Sequence, residues 1–306
     1  MTTDGNRSNW GRWGADDERG ALNLATPELV LNAARALRTG KVYPLGLPVS
    51  TSRTPKVFDR PSPERLTRNS PHDDRDAVAA GGVGSAEDLL VMPSHSGTHI
   101  DALAHVHEAG EYYNGHRFES FTTARGAAKC SIVRTGSLAT RAVMLDVARL
   151  VAGDGRSGSG FRSDPLPQTH TITASELEAC CTQQQVEVRP GDAVLIRTGW
   201  TESHEADRAT PGYPQAGIGL GAAAWLQERD VSLVGADNSA VEVLPFEDGK
   251  FLCVHVALIV RSGIGLIEHL WLADLAMDNC YESLLVVGAL QIVGATGSPV
   301  NPIAIG

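Results

Sequence analysis

Hydrophobic residues recur along this chain with two different periods, which predict alternating helices and strands. A helix is predicted to begin after Thr26, where Pro27 suits the first helical position, and to end at Gly40. Between them, hydrophobic side chains follow the 3.6-residue period of a helix at Leu29, Val30, Ala33, Ala34 and Leu37. Two more helices are predicted, one at 174–185 that begins with the capping box Thr173-x-x-Glu176, and one at 220–228.

Short runs rich in β-branched residues, bounded by glycine or aspartate, predict strands. These strands lie at 89–92, 129–134, 142–145, 193–197, 232–234, 264–267 and 285–292. A further helix is predicted at about 253–261, followed by a tight turn at Ser262 and Gly263 that leads into the strand beginning at Ile264. The alternation favours the α/β class but does not fix the order of strands in the sheet.

Two polar segments stand outside this alternation. Residues 51–87 are rich in proline, arginine and aspartate and form an unusually long excursion for a compact domain, so we expect a mobile lid or a contact between subunits. Residues 1–25 are expected to form an N-terminal arm. Its Trp10 and Trp13 are predicted either to cover a neighbouring active site or to tether the terminus.

Composition and charge narrow the possible partners. The chain has 306 residues, enough for one large domain with a sizeable core, and a net charge of −10. An acidic balance without basic clusters argues against nucleic acid and against an anionic membrane surface. The longest apolar stretch, 284–295, is too short for the roughly 20 residues that span a bilayer. No signal-peptide core is visible, and five irregularly spaced cysteines argue against a disulfide framework, so we expect a cytoplasmic protein acting on a small molecule.

The candidate chemistry lies in the segment from His95 to His105, which reads His-Ser-Gly-Thr-His-Ile-Asp-Ala-Leu-Ala-His. Imidazole and carboxylate are ligands of divalent metals such as zinc or manganese. In an extended strand His95 and His99 would lie roughly 13 Å apart, and in a helix Asp101 would point away from both. Gly97 permits a bend that brings the three side chains together. The segment therefore predicts a metal-binding turn, although a polar loop with backbone-bonded histidines is the alternative.

The same segment resembles the signature His-x-Gly-Thr-His-x-Asp-x-x-x-His of the cyclase family, which contains bacterial kynurenine formamidases and isatin hydrolase. The similarity extends over nearly the whole chain, except 51–87 and 153–168, and one departure is Leu103, where many members have proline. The other matching segments are 9–23, Tyr113-Asn-Gly115, 191–200, Gly235-Ala-Asp-Asn238 and 294–304. The resemblance implies the swivelling β/β/α fold of the cyclase-like hydrolases, with a mixed sheet and flanking helices in a single domain over 1–306, and assembly as a homodimer or homotetramer.

The resemblance also implies roles for individual residues. His255 and Glu268 are spaced like a pair that completes a second metal position in formamidase-like relatives, where the motif aspartate, here Asp101, bridges two ions. From the residues alone, the apolar run around His255 favours a satisfied core histidine over a ligand. His105 corresponds to the family's general acid and base, and the Thr98 hydroxyl is expected to orient a ligand.

These expectations combine into one function with two alternatives. The predicted function is hydrolysis of a non-peptide carbon–nitrogen bond, in an aryl formamide or a cyclic amide or imide, by a water activated at one or two zinc or manganese ions held by His95, His99, Asp101, His255 and Glu268. The first alternative is a metal-dependent cyclase or lactone hydrolase acting on a polyketide-like or other cyclic molecule. The second is a non-catalytic metal-binding protein, which would have no need of a free acid and base such as His105.

Overall fold

Nine strands form one curled mixed sheet, which is the central layer of this α/β domain. The computed structural model of the chain describes residues 7–35, 37–56, 60–153, 165–206 and 214–306. In chain order its strands are β1 (Val42–Pro44), β2 (Glu64–Asn69), β3 (Glu87–Val91), β4 (His99–Asp101), β5 (Phe121–Thr122), β6 (Gly126–Ala127), β7 (Ser137–Asp146), β8 (Thr171–Ile172), β9 (Ala193–Arg197), β10 (Gly217–Ile218), β11 (Leu233–Ala236), β12 (Gly265–Glu268), β13 (Glu282–Gly288), β14 (Gly297–Pro299) and β15 (Ile303–Ile305).

The strand order in the large sheet is β1-β15-β13-β7-β9-β11-β12-β4-β14. The four central strands β7, β9, β11 and β12 are parallel, and antiparallel neighbours extend the sheet on both sides. Because parallel strands are usually buried on both faces, β9 and β11 consist almost entirely of apolar residues. The large sheet thus places the carboxyl end of β12 beside the short strand β4.

Helices cover the sheet and supply much of the hydrophobic core. They are α1 (Pro27–Arg35), α2 (Arg75–Ala79), α3 (Ile132–Thr135), α4 (Val147–Ala152), α5 (Ala174–Gln184), α6 (Trp200–Ala206), α7 (Leu220–Glu228), α8 (Cys253–His255), a π-helix (Val256–Arg261) and α9 (Ala273–Met277). Short 3-10 turns lie at Gly20–Leu24, Tyr113–Gly115, Phe118–Ser120 and Glu247–Gly249. Alternate residues of the central strands enter two separate buried clusters. Val194 and Ile196 pack in one cluster, whereas Leu195 packs in the other.

Several predicted elements are confirmed. The capping box at Thr173 is present, with the Thr173 hydroxyl accepting from the Glu176 backbone N–H and the Glu176 carboxylate accepting from that of Thr173. The strand predicted at 193–197 and the helix at 220–228 have the observed bounds. The helix predicted at 253–261 is present as α8 and the π-helix that continues it. Strongly local signals therefore located these elements well.

Other expectations were wrong. The strand predicted at 129–134 is replaced by the one-turn helix α3, because Cys130 adopts a positive φ of 56° that interrupts an extended chain. The last long strand ends at Gly288 rather than at residue 292. Helix α1 ends at Arg35, well before Gly40.

The polar excursion at 51–87 is not a structureless loop. It contains α2 and the strand β2, which pairs with β3 in an antiparallel ribbon that also takes in the strand predicted at 89–92. Leu66, Leu89 and Leu90 of this ribbon are about half exposed. Whether the excursion is a lid or a contact between subunits stays a prediction.

The N-terminal arm packs against the π-helix. The Trp10 indole N–H donates to the Val260 carbonyl at 2.7 Å, and the Asn9 backbone N–H donates to the Arg261 carbonyl at 2.9 Å. These contacts fix the arm to the element that follows His255. Among the described helices, none is long and apolar enough to cross a membrane.

Candidate metal centre

The centre is built on two neighbouring antiparallel strands, β4 and β12. His99 and Asp101 are two residues apart in β4, so both face the same side of the sheet, whereas Ile100 between them enters the hydrophobic core. The strand register places Glu268 of β12 directly opposite His99. Directly opposite residues in an antiparallel pair lie within about 5.5 Å at their Cβ atoms. The pairing therefore brings two parts of the chain, 169 positions apart, to one site.

The bend at Gly97 brings His95 into the same site. Gly97 has a φ of +63°, a left-handed conformation that glycine adopts without a steric penalty. Its carbonyl accepts hydrogen bonds from Nδ1 of His99 at 2.8 Å and of His269 at 3.1 Å. On the next strand, β14, Gly297 leaves room for the His95 ring, because a Cβ there would lie 2.5 Å from His95 Nε2.

Asp101 occupies the middle of the resulting cluster. Its Oδ1 lies 3.4 Å from His95 Nε2 and 3.6 Å from His99 Nε2, and its Oδ2 lies 3.8 Å from His255 Nε2. Both carboxylate oxygens and His95 Nε2 are buried and have no hydrogen-bond partner among the residues that the structure describes. Unpartnered polar atoms of this kind are costly to bury unless a cation or a hydrogen bond satisfies them.

Glu268 connects the same histidines from the opposite strand. Its Oε2 lies 3.2 Å from His99 Nε2, and its Oε1 lies 3.4 Å from His255 Nε2. The structure therefore brings His255 and Glu268 to the cluster around His95, as the two-ion hypothesis requires. Three overlapping groups have their ligand atoms within 4.8 Å of one another: His95, Asp101 and His105; His99, Glu268 and His269; and Asp101, His255 and Glu268.

The electrostatic environment fits a bound divalent cation. Burial raises the pKa of Asp101, and the neighbouring Glu268 charge raises it further. Burial also raises the pKa of Glu268, but hydrogen bonds from His255 and His99 outweigh it and hold that pKa well below its usual range. Burial lowers the pKa of His95 to about 3, so its imidazole is neutral and able to bind a metal. Two buried carboxylates facing several imidazole nitrogens are a donor set suited to zinc or manganese.

His105 lies at the more open side of the cluster. It is partly exposed, and its ring stacks on that of His95 with centroids 4.0 Å apart and planes inclined by 26°. An imidazole nitrogen directs its lone pair within the ring plane and binds zinc at about 2.0 to 2.1 Å. Two stacked rings therefore do not readily converge on one ion, which favours one of them as the ligand and the other as a free base.

The Thr98 hydroxyl does not contact a metal-facing side chain. It donates to the His269 carbonyl at 2.6 Å and accepts from the Leu47 backbone N–H at 2.8 Å. Both contacts are with backbone atoms, so the expectation that the Thr98 hydroxyl orients a ligand stays a prediction. Thr98 lies in the turn before β4, and its hydroxyl holds this turn to His269, the residue that follows β12, because the two strands run side by side there.

Two residues of the centre were missed by sequence reasoning. Glu242 is fully buried, and its Oε1 accepts a short hydrogen bond from His255 Nδ1, which leaves Nε2 of His255 facing Asp101 and Glu268. A lone glutamate between Val241 and Val243 was the available signal, since a carboxylate in an apolar run needs a partner. His269 also lies in the cluster, and its position next to Glu268 was the only sequence clue.

Comparison with known proteins agrees with this architecture. The chain matches the family model Cyclase over residues 21–243, and it belongs to the cyclase family. A crystal structure of a novel cyclase is 34% identical, with a TM-score of 0.87 and 98% of each chain covered. No curated protein matches this chain.

More distant structures share the fold. One is an isatin hydrolase bound to the product analogue thioisatinate, 19% identical, with a TM-score of 0.64 over 87% of this chain and 92% of that one. Another, from Bacillus stearothermophilus, is described as a "predicted metal-dependent hydrolase" and is also 19% identical, with a TM-score of 0.53 over 87% of this chain and 98% of that one. The cyclase-like fold expected from the sequence is thereby confirmed.

Proposed function

We propose that this protein is a metal-dependent hydrolase that cleaves a non-peptide carbon–nitrogen bond in an aryl formamide or a cyclic amide or imide. The observation that carries the proposal is the Asp101 carboxylate. Both of its oxygens are buried and lack a hydrogen-bond partner in the described part of the chain, with His95 and His99 facing one and His255 facing the other. Such an arrangement fits one or two divalent ions, zinc or manganese, held by these residues together with Glu268.

A divalent ion held by these residues would polarise the amide carbonyl and lower the pKa of a water ligand towards about 7, which would make the carbonyl a better electrophile and the water a better nucleophile. The side chains of the protein balance charge and orient the ligands. Asp101 and Glu268 balance the charge of the site, and Glu242 keeps His255 in the tautomer whose Nε2 faces it.

His105 is proposed to transfer the protons. Burial lowers the pKa of His105 to about 3, so its imidazole is neutral and carries a nitrogen lone pair. In the proposed role that nitrogen accepts the proton of the attacking water and later returns it to the leaving nitrogen. His105 is partly exposed whereas His99 and Glu268 are buried, which supports a substrate approaching the centre from the side of His105. A free base beside the ligand set argues against a purely metal-binding protein.

A cyclase or lactone hydrolase is the second candidate. The 34% identical structure is described as a novel cyclase, and the same donor set would serve ring closure or lactone opening. Accumulation of a ring-opened acid from a lactam, imide or lactone would indicate hydrolysis, whereas conversion of the open acid into the ring would indicate closure.

The test combines metal analysis with two variants. Wild-type protein purified without added metal is analysed for zinc and manganese and assayed on a panel of N-formyl anilines, lactams, imides and lactones, before and after chelation. Chelation should abolish turnover, and zinc or manganese should restore it. His105→Ala should keep the metal and lose roughly 100- to 10,000-fold in turnover, whereas His99→Ala should lose metal as well.

Two results would contradict the proposal. Full turnover by a rigorously metal-free preparation would exclude the mechanism. Loss of the metal from His105→Ala would make His105 a ligand, which its place beside His95 and Asp101 also permits.

A further inference from the structure

His269 lies inside the metal centre in an unusual backbone conformation. It directly follows Glu268 at the end of β12 and has a φ of +55°. Side chains of consecutive strand residues point to opposite faces, so an ordinary extended residue here would turn away from Glu268. The left-handed conformation, rare for a residue with a side chain, instead keeps one ring nitrogen of His269 within 4.8 Å of a ligand atom of Glu268 and of His99.

The hydrogen bonding of His269 fixes which ring nitrogen carries the proton. Nδ1 lies 3.1 Å from the Gly97 carbonyl, which can only accept, so Nδ1 carries the proton and Nε2 of the neutral ring has a free lone pair. The same carbonyl accepts from Nδ1 of His99 at 2.8 Å. One backbone oxygen therefore orients two imidazoles in the same way.

Nε2 of His269 has no hydrogen-bond partner among the described residues, although His269 is only 1% exposed. Trp200 occupies the neighbouring space, with its ring centroid 5.4 Å from that of His269. Leaving a buried acceptor unsatisfied destabilises the folded state, and a left-handed backbone destabilises it further. The Gly97 hydrogen bond and the Trp200 contact leave Nε2 unsatisfied, whereas a metal ion bound at Nε2 would satisfy it.

We propose that His269 is a metal ligand, acting through Nε2 together with His99 and Glu268. The inference rests on the proposed function only in assuming that the centre holds a divalent ion. The two oxygens of Glu268 would then belong to different metal positions, since Oε2 faces His99 while Oε1 faces His255. Glu268 joins Asp101 as a residue that links the two halves of the centre.

The experiment measures Zn²⁺ affinity of the metal-free full-length protein by chelator competition, and the absorption spectrum of its Co²⁺-loaded form. His269→Asn is the main variant, because asparagine tolerates a positive φ and its amide can still donate to the Gly97 carbonyl, yet it has no imidazole nitrogen. His269→Ala leaves a space that added imidazole can enter. His204→Ala is the matched control. His204 stacks on Trp200, which also lies beside His269, with ring centroids 4.6 Å apart, but His204 belongs to none of the three ligand groups.

Both His269 variants should bind Zn²⁺ at least tenfold more weakly than the wild type, with an altered Co²⁺ spectrum, whereas His204→Ala should match the wild type. Millimolar imidazole should restore the affinity and spectrum of His269→Ala. Wild-type affinity in a folded His269→Asn would overturn the inference, as would a weakened His269→Ala that imidazole does not rescue. A wild-type protein that binds no divalent metal would refute the proposed function and this inference together, whereas metal binding unaffected by the variants would refute the inference alone.

Discussion

Replacing Glu242 with glutamine should weaken metal binding although Glu242 lies behind His255. Its Oε1 accepts from His255 Nδ1, and its Oε2 accepts from the Val254 backbone N–H at 3.2 Å. A carboxylate can accept on both sides, whereas an amide has one accepting and one donating side. Glu242→Gln therefore cannot satisfy both partners.

Each orientation of the new amide carries a cost. If its oxygen faces His255, its NH₂ group meets the Val254 N–H, and that buried donor loses its acceptor at a cost of about 1–3 kcal/mol. If its NH₂ group faces His255, the proton of the imidazole moves to Nε2, the nitrogen that faces Asp101 and Glu268. Loss of an outer partner of a metal-binding histidine typically lowers affinity 10- to 100-fold, which corresponds to about 1.4 to 2.7 kcal/mol.

The assay is Zn²⁺ binding to metal-free protein, combined with thermal unfolding with and without Zn²⁺. Glu247→Gln is the matched control, because Glu247 accepts from the Leu220 backbone N–H at 2.6 Å and belongs to none of the ligand groups found among the described residues. The control should alter stability at most and leave Zn²⁺ affinity unchanged. A Zn²⁺ affinity of Glu242→Gln within twofold of the wild type would refute the reasoning.

Two further predictions concern packing at the centre and stability away from it. Gly297→Ala should lower Zn²⁺ affinity about tenfold without unfolding the protein, because the new Cβ would lie 2.5 Å from His95 Nε2 and would displace that ring. The control Gly221→Ala, whose Cβ would meet no described atom within 4 Å, should bind Zn²⁺ like the wild type. Equal Zn²⁺ affinities of the two variants would contradict the argument. Thr173→Ala should lower the free energy of unfolding by about 0.5–2 kcal/mol in urea denaturation at neutral pH. Partial burial raises the pKa of Glu176, but hydrogen bonds from Thr173 and His170 outweigh it, so the pKa lies below its ordinary value of 4.5. The stabilisation by ionised Glu176 is therefore present above pH 4.5 and lost as the pH falls through the lower native pKa. Thr173→Ala should lose less stability than the wild type over this acid range. The same loss in both proteins would count against the prediction.

The sequence by itself determined those features whose cause lies within a few residues. The capping box at Thr173, the apolar run that became β9 and the turn at Gly97 depend on neighbouring side chains and on backbone freedom, which spacing along the chain records. Resemblance to the cyclase family added His255 and Glu268, which periodicity alone left open.

Only the tertiary structure decided how the distant parts meet. The register of β12 against β4 places Glu268 opposite His99, and nothing in either strand's own period specifies that pairing. Glu242 reads in the sequence as an isolated carboxylate until folding puts it against His255. His269 likewise reads as the residue after a ligand, and its left-handed backbone turns its ring back into the centre. A metal centre depends on distances of a few ångströms between side chains from separate elements, and the packing of those elements sets these distances, while spacing along the chain does not.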